Sequence, residues 1–469
     1  MDRRWLAFIV LCLGDLMIVL DSTVVKVALP SIRDALGFSE ASLAWVVNAY
    51  LLTFGGFLLL GGRLADLYGQ RRLFLIGLCV FTAASLACGL ATSAVMLVTA
   101  RAVQGLGGAV VSAVALSLIT NLFPDSGERV RAMGYFGFVM AAGGSVGVLL
   151  GGILTDAFDW HWIFLINLPI GAAVFAAAAR LLPPDTAAPS DAKLDVGGAI
   201  TITAALLLAI YAIIGGNAAG WTSVPTLSML GASAALFAAF LVIEAKVTAP
   251  LMPLHLFASR NVSVSNIIGV LWAAGMFAWF FLSALYMQSV LGYSPMHVGL
   301  AFLPSNIIMG AFSYKLSAKV VNRFGIRRPL SVGLLIAAAG LTAFALAPAE
   351  GDFVRHVLPG MLLLGIGAGV AFNPILLAAM NDVKAEDSGL ASGVVNTSFM
   401  MGGALGLAIL ASLAAARSIA LTAAGAGPEV ALHGGYQVAF GVGAALTFAG
   451  GLLALMLRDS KTAETAVGH

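Results

Sequence analysis

Apolar runs about as long as a bilayer is thick recur from one end of this chain to the other, and the first of them, WLAFIVLCLGDLMIVLDSTVVKVALP at 5–30, sets the terms for the rest. About 20 apolar residues suffice to cross a hydrocarbon core as a helix. A backbone in lipid must satisfy its own hydrogen bonds, so a chain built of such runs folds as a helical bundle. Yet this run also carries Asp15, Asp21 and Lys26. A charge inside a span costs roughly 2.5–3.5 kcal/mol on insertion scales, and its presence needs a reason. Arg3 and Arg4 precede the run as in a secretory signal, but it is too long and too acidic, and no small-residue cleavage site follows. It therefore reads as an uncleaved first span.

Gly, Pro and charged breaks divide the chain into fourteen apolar segments, at roughly 5–29, 42–62, 73–93, 95–120, 131–155, 162–182, 195–215, 226–245, 262–290, 298–320, 328–347, 356–380, 389–415 and 437–457. Of 469 residues 60% are hydrophobic and 10% charged, a balance foreign to soluble globular proteins. The net charge of +2 singles out no polyanion, so nucleic acid is not an expected partner. The placement of the charges is more informative. Eighteen of the 24 basic residues fall in loops on the side of the amino terminus; only Arg33, Arg355 and Arg417 fall on the other, and Lys26, Arg101 and Lys315 lie within spans. By the positive-inside rule both termini are expected in the cytoplasm. The excess of Arg over Lys, with abundant Ala and Gly, points to a bacterial cytoplasmic membrane.

Enzymatic chemistry finds no footing. Cys12, Cys79 and Cys88 lie in apolar spans, which excludes a disulfide framework or thiolate metal site. His161, His255, His297, His356 and His433 lack ligand spacing, and no phosphate-cradling loop of the Walker type occurs. No metal or cofactor is expected; the proton gradient is the energy source left.

The chain repeats itself. GGRLADLYGQRR at 61–72 is echoed by SAKVVNRFGIRR at 317–328, aligning Gly69, Arg71 and Arg72 with Gly325, Arg327 and Arg328, and GGSVGVL at 143–149 is echoed by GGALGLA at 402–408. Such internal repetition is common in secondary transporters. It divides the chain into a six-helix bundle at 1–182, a linker with two additional central helices at 183–261, a second six-helix bundle at 262–457 and a tail at 458–469.

With GRLADLYGQRR at 62–72, RAVQGLGGA at 101–109 and the glycines of the fifth segment in place, the chain resembles the major facilitator superfamily and, within it, the fourteen-helix drug:proton antiporter branch. WVVNAYLLT (45–53), DWHWIFLINLPIG (159–171), LDVGGAI (194–200), SGVVNTSFMMGGALG (392–406) and LDSTVVKVALP (20–30) extend the resemblance over nearly the whole chain. It implies an all-α membrane fold of two six-helix bundles plus two central helices. It also implies that Gly62, Asp66, Gly69, Arg71 and Arg72 form a cytoplasmic latch on one alternating state; a positive-inside anchor would account for the arginines but not for Asp66. Asn322 stands at the corresponding place in the second half.

Asp21 and Arg101 come to the same depth by residue counting, and a carboxylate–guanidinium pair in low dielectric depends on whether the acid is protonated. The alternative is a static ion pair that fixes helix packing. Gln104, one turn further in, could complete the hydrogen bonding. Asp15, about 9 Å from Asp21 along the helix, lies near the midplane and is assigned to proton or cationic-substrate contact. Gly143, Gly147 and Gly151 share one helix face, with Gly152 beside them, allowing close contact of the small-xxx-small kind. The antiporter motif of the branch usually places a proline where this chain has Val148. Lys26 stands where the branch usually has Asn, and near the end of its segment it is expected to snorkel to the interface. Tyr50, Trp272, Trp279, Tyr286, Gln288, Asn306, Phe372, Asn373, Asn396, Phe399 and Met400 suit a large apolar cavity, although each taken singly fits packing or a lipid face better than a ligand contact. No acid falls in a helix core of the second half, which disfavours dications as substrates.

The resulting expectation is a monomeric antiporter that exchanges protons for lipophilic small molecules such as drugs, antibiotics or dyes, with lipids around it. Proton-linked uptake or lipid export on the same fold, and a membrane sensor that has lost transport, are the competing expectations.

Overall fold

A computed structural model of the chain describes residues 3–123, 126–185, 195–248, 250–313, 317–380, 383 and 388–458. It is an all-α bundle of fourteen long helices: α1 (Arg3–Leu36), α2 (Trp45–Tyr68), α3 (Gln70–Gly89), α4 (Ala94–Leu122), α5 (Ser126–Ala157), α6 (Trp162–Leu181), α7 (Val196–Ala219), α8 (Val224–Lys246), α9 (Arg260–Leu285), α10 (Pro295–Ala311), α11 (Arg327–Ala345), α12 (Leu358–Met380), α13 (Ser388–Ala423) and α14 (Pro428–Ala454). Twelve have the length and hydropathy to cross a membrane among the described residues; α5 and the shorter α10 complete the set.

The internal echoes reappear as packing. Helix α1 lies on α5, α2 on α4 and α3 on α4; in the same order α9 lies on α13, α10 on α12 and α11 on α12. Gly143, Gly147 and Gly151 press α5 against α1, and Gly402 brings α13 within 2.8 Å, at an added Cβ, of the Val270 Cα on α9. Gly69 and Gly325 both take positive φ, +97° and +76°, between a helix and its following Arg pair, a backbone that glycine adopts without steric cost. Helix α7 packs on α8, α2 and α13, so the added pair leans on both repeats. Most of α8 faces outward from the bundle.

Two expected boundaries move. The first helix does not stop before Pro30 but runs through it to Leu36. Pro30 is buried against neighbouring helices, and in lipid such packing sustains a helix through proline. The stop comes at Gly37, φ +70°, where the Gly37 N–H returns to Arg33 O (2.9 Å) as a left-handed C-cap. Lys26 is thereby placed about 15 Å from the outer end of its helix instead of about a turn from it. The tenth helix, expected over 298–320, ends at Ala311 and is followed by a short helix, Ser317–Phe324; Lys315 lies outside the described residues.

Candidate functional site

Five polar side chains form one buried network inside the first six helices. Asp21 on α1 and Arg101 on α4, 0% and 1% exposed, meet with Nη1 2.5 Å from Oδ2. Gln104, one turn along α4, donates from Nε2 to Asp21 Oδ1 (2.7 Å) and accepts from Arg101 Nη1 (2.7 Å). Asn167 on α6 donates to the same Asp21 oxygen (3.0 Å) and to Ser85 Oγ on α3 (2.9 Å), and the Ser85 hydroxyl donates to Phe164 O (2.9 Å). Asn167 follows a break in α6 at Ile166, where Pro169 has no N–H to offer the carbonyl of Leu165.

Arg101 keeps acceptors beyond its carboxylate. Its Nε donates to Val46 O (3.1 Å), and its guanidinium lies 4.4 Å from the Tyr50 ring centroid and 5.6 Å from that of Phe164. On the other side, Asn167 Oδ1 is buried without a hydrogen-bond partner. Neutralising Asp21 would therefore leave the cation held, and the Asn167 amide has an unused acceptor for the resulting carboxylic O–H.

Asp15 is a separate site. It is buried, takes a hydrogen bond from Ser112 Oγ on α4, and has no part in the Asp21 network.

The glycines of α5 explain how α1 is held. A Cβ on Gly151 would sit 2.6 Å from Val24 O and 2.8 Å from Val24 Cα, and one on Gly147 3.2 Å from Leu20 O. A Cβ on Gly143 would meet Leu16, and one on Gly152, about 100° around the helix from Gly151, would sit 2.7 Å from Pro295 O and 3.0 Å from Met296 Cα at the start of α10. With Val148 in place of proline, α5 runs as one unbroken helix from Ser126 to Ala157.

At the carboxyl end of α1, contacts join the early helices to the late ones. Arg33 Nη1 pairs with Glu40 Oε1 (2.5 Å) and reaches Ser289 Oγ (3.4 Å), the Tyr436 hydroxyl donates to Glu40 Oε2 (3.0 Å), and Gln288 Nε2 donates to Val27 O (2.8 Å). Gln288, expected in the cavity, thus joins the turn after α9 to α1, and the Tyr286 hydroxyl donates to Pro348 O (2.7 Å).

At the inner end, Gly69 turns α2 into α3. The carboxylate of Asp185 accepts the N–H groups of Arg71 (2.9 Å) and Arg72 (3.2 Å), capping the amino terminus of α3, while the Arg71 guanidinium donates to Ala179 O near the end of α6. Gly62 has open space beside it, with only Ala113 Cβ within 4 Å. The side chain of Asp66 lies outside the described residues.

Of the remaining cavity expectations, Met400 lies against Gly55 of α2, and Asn373 Nδ2 donates to Ser313 O (3.0 Å). Asn396 is half-buried on α13, Asn306 and Trp279 are buried, and Trp272, Phe372 and Phe399 form an edge-to-face aromatic cluster. Lys26, half-buried, has its Nζ 3.7 Å from the Phe280 ring centroid on α9.

Residue counting brought Asp21, Arg101 and Gln104 together. It missed Asn167 and Ser85, although an Asn flanked by Ile and Leu inside an apolar run is itself a signal. It also missed Asp195, whose Oδ1 caps α7 at Gly198 N (2.7 Å), and Glu244, whose Oε2 accepts from Met252 N (2.9 Å). Among the described residues no group of His, Cys, Asp or Glu could hold a metal ion.

Comparison with known proteins gives the family and the fold. The sequence description of the Major Facilitator Superfamily matches residues 11–407. The chain is 37% identical to "Puromycin resistance protein pur8" of Streptomyces alboniger, over 98% of this chain and 92% of that one. It is 38% identical to "Cephamycin export protein CmcT" of Amycolatopsis lactamdurans, over 86% and 84%. With "Tetracenomycin C resistance and export protein" of Streptomyces glaucescens it shares 34%, over 88% and 77%. A crystal structure of the nucleoside transporter NupG superposes with a TM-score of 0.68 at 13% identity, covering 96% of this chain and 99% of that one. Xylose transporter XylE from E. coli, in a partially occluded inward open conformation, superposes with a TM-score of 0.66 at 13% identity, over 98% and 99%.

Proposed function

The chain belongs to the Major Facilitator Superfamily, in its drug- and antibiotic-resistance branch, and from that premise we propose that it exports lipophilic small molecules, antibiotics among them, across the cytoplasmic membrane in exchange for protons. It is a transport protein, not an enzyme. Puromycin, cephamycins and tetracenomycin C, named for three relatives, support antibiotics of that kind as the cargo class. Both termini lie in the cytoplasm, and the monomer, with lipids around it, is the working unit.

The observation that carries the mechanism is the construction around Asp21. A buried ion pair meant only to fasten helices needs no spare partners, whereas here Arg101 has Val46 O, Gln104 Oε1 and the Tyr50 face in reserve. Taking up a proton on Asp21 removes the charge-assisted bond, worth about twice a neutral one, without stranding the guanidinium. The pair thus reports protonation as a change in how tightly α1 is held to α4. The contacts of Arg33, Glu40, Ser289 and Tyr436 support a reading in which their end of the bundle is closed as an outer seal and loading comes from the cytoplasm. Release outward requires that seal to part, and protonation of Asp21 from outside favours the return. The turn at Gly69, with Arg71, Arg72 and Asp66, acts as the latch on the opposite state. Asp15 beside Ser112 is the contact for a proton or a cationic substrate group.

The test is direction. In inside-out vesicles, an acid lumen should drive puromycin inward from the medium, and dissipating the gradient should release it. Accumulation only when the lumen is alkaline would establish proton-linked uptake instead, and absence of saturable flux for puromycin and every other drug of a panel would leave a sensor.

A further inference from the structure

Three hydrogen-bond donors without an acceptor belong to one aromatic cluster where α1 meets α9 and α10. The Lys26 ammonium lies over Phe280, whose ring centroid is 4.3 Å from that of Trp279 and 5.5 Å from that of Phe302. Trp279, 1% exposed, has a buried indole N–H with no partner. Asn306, 4% exposed and one turn inward of Phe302 on α10, has a buried Nδ2 with no partner. No acidic side chain among the described residues acts on Lys26.

The depth matters. Gln288, which donates to Val27 O, lies in the turn Tyr286–Val290 that continues α9, eight residues and so about 12 Å beyond Phe280. The ammonium therefore lies well short of that contact along the bundle. An ammonium with only a ring face for company lacks the anion that ordinarily accompanies a charge at such depth. The Phe280 face is a weaker partner for it than an anion in a dry site would be. Buried donors are nearly always paired, and two of them on one cluster with a half-buried ammonium suit an acceptor with negative charge.

We propose that Lys26, with Trp279 and Asn306, is the anion-recognising subsite of the cargo pathway. It selects amphiphiles whose acidic group, a carboxylate, sulfonate or ionised phenol, meets the ammonium while their rings lie on Phe280 and Trp279. This inference rests on the export reading and adds a charge preference to it. Asp15 and Lys26, eleven residues apart on α1, then give the pathway one contact for a cationic group and one for an anionic group.

The test uses two probes with the same ring system, 1-anilinonaphthalene-8-sulfonate and the uncharged N-phenyl-1-naphthylamine. Their binding is titrated by fluorescence to full-length protein in lipid nanodiscs, with empty nanodiscs as blank. Lys26→Met, which keeps the length of the stem, should weaken the sulfonate at least tenfold, Lys26→Arg should retain it, and the neutral amine should bind alike to all three proteins. Unchanged sulfonate affinity in Lys26→Met, no sulfonate binding to the native protein, or equal loss of both probes would overturn the proposal. Proton-driven flux of the neutral amine in vesicles of the native protein tests export separately, so either idea can fail without the other.

Discussion

Replacing Asp21 by Asn isolates the proton from the shape. The Asn oxygen can still accept from Gln104 and Asn167, which now sit 2.7 Å and 3.0 Å from Asp21 Oδ1, but the new NH2 faces Arg101 Nη1, donor against donor. Removing one partner of a buried pair costs about 3–5 kcal/mol in general. Here Val46 O, Gln104 Oε1 and the Tyr50 face continue to hold the guanidinium, so the loss falls at the lower end of that range and the fold survives. Coupling does not survive. One proton exchanged for one neutral substrate converts each pH unit of gradient into about 1.4 kcal/mol, a tenfold concentration ratio. With two pH units across a proteoliposome membrane, the native protein should concentrate substrate about 100-fold. Asp21→Asn should reach a ratio of about one while still equilibrating labelled against unlabelled substrate, which shows that it is folded and mobile. A gradient-dependent ratio above about tenfold in that variant would refute the assignment of Asp21 as the coupling acid.

Other outcomes follow from the same contacts. Gly151→Ala should cost about 1–3 kcal/mol in thermal or detergent unfolding, since its Cβ would strike Val24 backbone; Gly144→Ala, with nothing within 4 Å, should be neutral or gain up to about 1 kcal/mol from helix propensity. Glu40→Ala removes the bonds from Arg33 and Tyr436 that close the outer seal, and should shift the population toward the outward-open state by about 5–150-fold; a cysteine placed at Ala415, beside Glu40 and Tyr436, should then react faster with an impermeant maleimide from outside. Asp185→Asn should cost about 1 kcal/mol locally and raise hydrogen exchange of the Arg71 and Arg72 amides while leaving the ends of other helices unchanged.

What could be read in advance was what repeats along a helix or sits at a countable depth. Asp21, Arg101 and Gln104 were found because helices of known direction place residues by their rise, and the glycines of α5 because a spacing of four defines a face. The length of α1 was not legible, since proline ends helices in water but not where neighbours hold the turns together, and Lys26 was misplaced with it. The outer seal joins residues 256 and 396 positions apart, Arg33 with Ser289 and Glu40 with Tyr436, and no local pattern encodes such partners. Asn167 could have been flagged as a polar residue in an apolar run, but that it shares one oxygen of Asp21 with Gln104 depends on the break before it in α6.

Helix α1 gathers these features into one mechanical element. From its amino to its carboxyl end it presents Asp15 to Ser112, Asp21 to Arg101, Lys26 to Phe280, Val27 to Gln288 and Arg33 to Glu40. The first two contacts lie within the early helices; the next two reach α9 and its continuation, and Glu40 is shared with Tyr436 of α14. The Gly143, Gly147 and Gly151 contacts leave no slack between α1 and α5, so the two helices can move only as a body. Gly152 carries that body to the first turn of α10. In the proposed mechanism, loosening Arg101 from Asp21 therefore acts on the outer seal through a rigid lever about 18 Å long, the rise from Asp21 to Arg33, without needing a chain of side-chain rearrangements between them.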